Sequence, residues 1–115
     1  MVTGNGVERS SQLLKGVLDM CLLAVIAEEP SYGYEMARKL SRRGLELISD
    51  GTIYPALSRL QRSGLIESYL EPSSEGPARK YYRITNGGMA RLGQWTEEWR
   101  SMSRGVDAVL DGGDT

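Results

Sequence analysis

Apolar positions along this chain change their spacing several times, and each change marks an element. Met1 to Gln12 is polar and glycine-containing and predicts a loose N-terminal arm. From Leu13 the spacing becomes helical, and between Met20 and Ala27 it is apolar on nearly every side. A helix of that kind must be covered on two faces, one by the domain core and the other by a partner subunit. Glu28-Glu29-Pro30 ends it, and Ser31 then reads as the N-cap of a second helix whose Tyr32, Met36 and Leu40 recur at i, i+4 and i+8. After a connector over 44–48, Ser49 or Asp50 caps a third helix with Ile53, Leu57 and Leu60 as its inward stripe. Thr52, Tyr54, Ser58, Arg59 and Arg62 point elsewhere. Pro55 denies the carbonyl of Gly51 its helical partner, which predicts a distorted or tightened first turn whose amides and hydroxyls suit a phosphate or a base edge.

Past Gly64 the period drops to two. Leu65 to Leu70 predicts a strand, Glu71 to Ala78 is turn composition, and Arg79 to Thr85 predicts the returning strand of a hairpin. In that strand Lys80, Tyr82 and Ile84 share one side and Tyr81 and Arg83 the other, so Tyr82 and Ile84 pack on the core under a basic rim. Thr85 or Asn86 caps a final helix in which Leu92, Trp95, Trp99, Met102, Val106 and Val109 follow a 3, 4, 3, 4, 3 spacing. This is an a/d heptad seam, and self-pairing across a two-fold axis is the simplest way to cover it.

Composition narrows the chemistry. At 115 residues the chain is one domain. It has no apolar run long enough to span a membrane, which takes about 18 residues, and its N-terminus lacks the regions of a signal peptide. A cytoplasmic location is expected. With one cysteine and no histidine, a disulfide framework, histidine-based catalysis and histidine-ligated zinc are excluded. No phosphate loop or nucleophile elbow is present, so no enzymatic activity, cofactor or metal is expected. The net charge of −1 hides an asymmetry: Arg38 to Arg91 carries ten basic and five acidic residues, a balance of +5 against −6 for the remainder. A basic middle between acidic ends fits a protein that binds a polyanion with one face, although an ordinary solvated mixture has the same appearance. Arg38, Lys39, Arg42 and Arg43 in the second helix fit phosphate contact and helix-dipole compensation equally.

Four segments carry a family resemblance: Leu13-Leu14-Lys15-Gly16-Val17-Leu18, Pro30-Ser31-Tyr32-Gly33-Tyr34-Glu35, Asp50-Gly51-Thr52-Ile53-Tyr54-Pro55-Ala56-Leu57-Ser58-Arg59-Leu60 and Gly76-Pro77-Ala78-Arg79-Lys80-Tyr81-Tyr82-Arg83-Ile84-Thr85. In this order and spacing, from Leu13 to about Leu110, the chain resembles the PadR family of bacterial transcriptional regulators, in its short form with a single C-terminal helix. The resemblance implies a mainly α fold with a small β-hairpin, a winged helix-turn-helix domain over 13–85 and a dimerisation helix over 86–110, with an arm at 1–12 and a tail at 111–115. It implies a homodimeric repressor of double-stranded operator DNA, with recognition helix 49–63 in the major groove and wing 71–79 on the adjacent backbone. By similarity Thr52, Tyr54, Pro55, Ser58 and Arg59 fall on the recognition helix, Tyr32 and Tyr34 on the supporting helix, and Arg79 and Lys80 on the wing. Lys39 and Arg62 complete the expected DNA-contacting set. The expected subunit contact comprises Leu14, Leu18, Leu92, Trp95, Trp99, Met102, Val106 and Val109. Trp99, with Trp95 one turn earlier, lies where multidrug-sensing members stack planar ligands, which implies a small hydrophobic or aromatic effector. Ser58 and Gln61 stand where relatives often carry histidine and glutamate, so the family's operator preference does not transfer.

Two other readings stay open from the residues. The acidic pI of about 5.5 also suits a winged-helix protein-interaction module without DNA binding. Cys21, within an apolar helix, is an inert small hydrophobe or a redox sensor.

Overall fold

A computed structural model describes residues 12–46 and 49–112. The arm to residue 11, Leu47 and Ile48 of the connector, and the last three residues of the expected tail lie outside the described residues. A helical turn at 12–15 is followed by tight bonds from the Gly16 amide to the Leu13 carbonyl and from Val17 to Leu14. Helix α1 (Leu18–Glu28) then buries Leu18, Leu22, Leu23, Val25 and Ile26. Its nearly continuous apolar surface is accounted for by its place among the other elements. It packs against each of the three later helices and against the returning wing strand.

The segment after Pro30 departs from expectation. Ser31 does not cap a helix. Ser31–Tyr32 forms a short strand, β1, and Ser31 is fully buried, its hydroxyl donating to the Glu29 carbonyl at 3.0 Å. The cap position belongs to Tyr32, whose amide donates to the Glu35 carboxylate at 3.4 Å, and helix α2 (Gly33–Arg42) follows. Met36 and Leu40 are buried as their spacing predicts.

Helix α3 (Asp50–Arg62) starts at the Ser49 cap with a tightened first turn, in which the Thr52 amide reaches the Ser49 carbonyl at 2.9 Å alongside that of Ile53. Ile53, Ala56, Leu57 and Leu60 form its buried face. Helices α2 and α3 end alike, with Gly44 at φ +105° and Gly64 at φ +76°. The next amides, of Leu45 and Leu65, turn back to the carbonyls of Leu40 and Leu60 at 2.9 and 3.0 Å. Glycine suits this left-handed stop because it has no Cβ to clash.

Strands β2 (Ile66–Ser73) and β3 (Gly76–Ile84) pair antiparallel, with Ile66 opposite Ile84 and Tyr69 opposite Tyr81. The wing is therefore longer than the sequence pattern suggested, and most of 71–79 is strand, with only 74–75 at the turn. Pro72 is accommodated because β2 is an edge strand and the register is irregular between Glu71 and Ser73. β1 pairs with the other side of β3, which makes a three-stranded sheet of order β1-β3-β2 rather than a plain hairpin.

Helix α4 (Asn86–Leu110) begins at Thr85, whose hydroxyl accepts from the Gly88 amide at 3.0 Å and donates to the Gly64 carbonyl at 2.7 Å. At 25 residues it extends for about 37 Å. Leu92 and Trp95 rest against the core, whereas the later turns project beyond it. The chain's radius of gyration is accordingly 16.5 Å, against about 13 Å for a compact chain of this size.

Candidate nucleic-acid interface

The two sides of α3 have opposite characters. With its apolar side buried, α3 presents Tyr54, Pro55, Ser58, Arg59, Gln61 and Arg62 outward, and Thr52 is half-buried. The Tyr54 ring lies over Gly33 at the start of α2, where an added Cβ would stand 2.5 Å from the tyrosine hydroxyl. Gly33 thus sets how closely α2 and α3 approach. Gln61 donates to Ser68 Oγ on β2 at 3.2 Å, and Arg59 reaches Asp19 on α1, with Nη2 2.9 Å from Oδ1.

Next to this helix the sheet carries a band of aromatic and guanidinium groups. Arg79 lies over the Tyr32 ring at 4.7 Å, Tyr32 meets Tyr81 edge-on at 5.3 Å, Tyr81 stacks on Tyr69 at 5.9 Å, and Arg83 covers Tyr69 at 4.8 Å. Exposed Tyr34 carries Arg38 at 5.7 Å and lies 6.5 Å from Tyr32. A ring face attracts a cation but carries no net charge, so these contacts hold Arg79 and Arg38 in place without neutralising them, whereas Arg83 also pairs with Glu67 at 2.8 Å. Lys80 lies on the opposite side of β3, over Tyr82 at 5.7 Å.

Other expected cations are committed to the fold. Lys39 Nζ pairs with Glu29 at 2.8 Å and donates to Ser31 at 3.4 Å, leaving its side chain only 16% exposed. Arg43 grips Glu28 with both guanidinium nitrogens at 2.7 and 2.9 Å, which holds the Glu28 carboxyl below its usual pKa. For these two the dipole and ion-pair role is the one the geometry displays. Arg62 is exposed at the end of α3.

Of the expected subunit-contact residues, Leu14 and Leu18 are buried within the chain itself and belong to its core. Leu13, from the same turn, is the outward residue at 66% exposure. On α4, Trp99, Met102, Val106 and Val109 remain exposed along one stripe, as the heptad spacing predicts. Trp95 and Trp99 border a cavity of about 350 Å³ together with Asp19, Met20, Glu98 and Met102. A second cavity, of about 390 Å³, lies on the far side of Trp99 against Leu13, Leu14, Val17 and Leu45. Cys21 is half-buried, and burial pushes its thiol above the ordinary value, away from the reactive thiolate.

Sequence reasoning missed the Tyr69–Tyr81–Arg83 part of the band, although the alternation that placed Tyr81 and Arg83 on one side of β3 contained the signal. It also missed Asp19, because nothing local links it to a residue forty positions later. Among the described residues no helix is long and apolar enough to cross a membrane, and no group of acidic and sulfur ligands could hold a metal ion.

A helix-turn-helix unit with an exposed outer helix face, a β wing beside it and an arginine-tyrosine band on that wing's sheet defines a winged helix-turn-helix DNA-binding protein. The model of the PadR-like transcriptional regulator family matches residues 22–94, and the chain belongs to that family. It is 37% identical over 86 residues to the transcriptional regulator Rv3488 of Mycobacterium tuberculosis, covering 75% of this chain and 76% of that protein. The crystal structure of a PadR-like transcriptional regulator from Bacillus cereus is similar with a TM-score of 0.80 and 45% identity, covering 89% of this chain and 99% of that one. A PadR family regulator from Eggerthella lenta matches with a TM-score of 0.81 and 31% identity over 92% of both chains.

Proposed function

We propose that this regulator acts in the cytoplasm as a homodimeric repressor, in which residues 13–85 bind DNA and α4 joins two subunits. The observation that carries the reading is the two-sided character of α3: Ile53, Ala56, Leu57 and Leu60 are wholly committed to the core, while Tyr54, Ser58, Arg59 and Arg62 are outward. Such a helix fits the major groove, where Ser58, Tyr54 and Arg59 meet base edges and Thr52 and Pro55 lie by the phosphates at its N-terminal turn. Arg79, held over Tyr32, and Lys80 reach the adjacent backbone. Pairing of the exposed α4 stripes would set two such helices about 34 Å apart on an inverted repeat. A hydrophobic or aromatic effector seated by Trp95 and Trp99 alters that spacing and releases the operator.

The test is a gel-shift series on duplexes selected by the protein. Arg59→Ala and Arg79→Ala each weaken binding; unchanged binding by both removes the assignment. A second reading, the protein-interaction module, draws support from the ion pairs that occupy Lys39, Arg43 and Arg59. Salt separates the two, because DNA affinity falls steeply between roughly 50 and 200 mM while an apolar protein contact does not.

A further inference from the structure

Arg59 stands on the outward side of α3, yet it is held from α1. Its Nη2 lies 2.9 Å from Asp19 Oδ1 and its Nε 3.5 Å from Oδ2. This side-on grip uses the Nε edge of the guanidinium and leaves the end-on pair of N–H bonds outside it. The end-on pair presents two parallel N–H donors that can meet guanine O6 and N7 together. Both partners stay accessible, at 51% and 32% side-chain exposure, and an ion pair so exposed adds little to stability. What it supplies is direction: a long, rotatable arginine is confined to one arrangement before DNA arrives.

Asp19 has a second surface. It sits in the first turn of α1 and also borders the cavity beneath Trp95 and Trp99. Glu98 lines the same cavity, so two carboxylates stand against Lys15 as the single basic residue among the described lining residues. A hydrophobic cation entering there competes with Arg59 for the Asp19 carboxylate.

We propose that Asp19 is a positioning residue for base reading by Arg59, and that it transmits occupation of the tryptophan cavity by a hydrophobic cation to the recognition helix. The inference rests on the DNA-binding reading above. Its signature is a change in discrimination between sequences, with reciprocal coupling between cation and operator.

The experiment measures dissociation constants for a selected duplex and for its scrambled counterpart at one salt concentration. Asp19→Asn lowers the ratio of the two about tenfold, the scale of one bidentate base contact, and it has no further effect in an Arg59→Gln background. Asp19→Ser serves as a companion should the asparagine variant fold poorly. Tetraphenylphosphonium, its binding followed by tryptophan fluorescence, lowers the wild-type ratio and leaves that of Asp19→Asn unchanged. Equal changes for both duplexes, an unchanged ratio, or the same loss without Arg59 overturns the positioning role. A wild-type ratio that the cation leaves untouched removes the transmission. Retention of no duplex by the wild type at low salt takes down the DNA-binding reading as well, whereas normal retention with an unaltered Asp19→Asn ratio defeats this inference alone.

Discussion

The winged domain and the C-terminal helix spend their apolar residues differently. In the domain, Leu22, Met36, Ile53, Leu57 and Ile66 from four different elements meet at 2% exposure or less. In α4 the apolar residues follow an equally regular spacing, but Met102 is 65% exposed and Val109 78%. Equal hydrophobicity is therefore spent differently in the two regions: one set closes a core within the chain, and the other stays exposed along α4, the surface through which we propose that subunits pair. The join between them is apolar where Leu92 and Trp95 rest against the core, and polar at Thr85, which ties the start of α4 to Gly64 at the end of α3.

The largest effect that tests this contrast is in the core. Leu22→Ala lowers unfolding stability by about 3 kcal/mol, and the loss measured by denaturant titration is the same at any protein concentration. Met102→Asp leaves the winged domain folded, with unchanged far-ultraviolet circular dichroism, but shifts the protein to monomers in sedimentation equilibrium. A Met102→Asp protein that unfolds as readily as Leu22→Ala would show that α4 belongs to the core after all. At the join, Thr85→Ala removes the cap and costs about 1 kcal/mol, read as a drop in denaturation midpoint.

The smallest effect is electrostatic and lies in neither apolar set. The hydrogen bonds from Arg43 hold Glu28 below the ordinary carboxyl pKa. The pair's stabilisation is thus complete above the unfolded carboxyl value and is lost as the pH falls through the lower folded value. Because both partners are largely exposed, the change is small. Glu28→Gln should flatten that part of the acid melting profile, and an identical profile in the variant would assign the acid sensitivity to other carboxylates.

Much of this arrangement was legible in the chain because it depends on local periodicity. Ile53, Leu57 and Leu60 define the inward side of α3 by spacing alone, and the Leu92 to Val109 heptads define the stripe of α4. What escaped depends on partners distant in sequence. Ser31 resembled a helix cap until β3, fifty residues later, provided a strand for it to join opposite Tyr82. Pro72 and Gly76 have turn composition, yet an edge position lets the wing strands run through to 74–75. Among the expected DNA-contacting residues, type and helix face were readable, whereas the commitment of Lys39 to Glu29 and of Arg59 to Asp19 required the packed structure.

The central claim is that two copies of α3, joined through α4, read one duplex. Hydroxyl-radical footprinting of a selected duplex tests it most directly. Two protected patches on one face of the DNA, centred about one helical turn apart and lost together in Met102→Asp, are the predicted result. A single patch, or a double patch that persists in the monomeric variant, contradicts it.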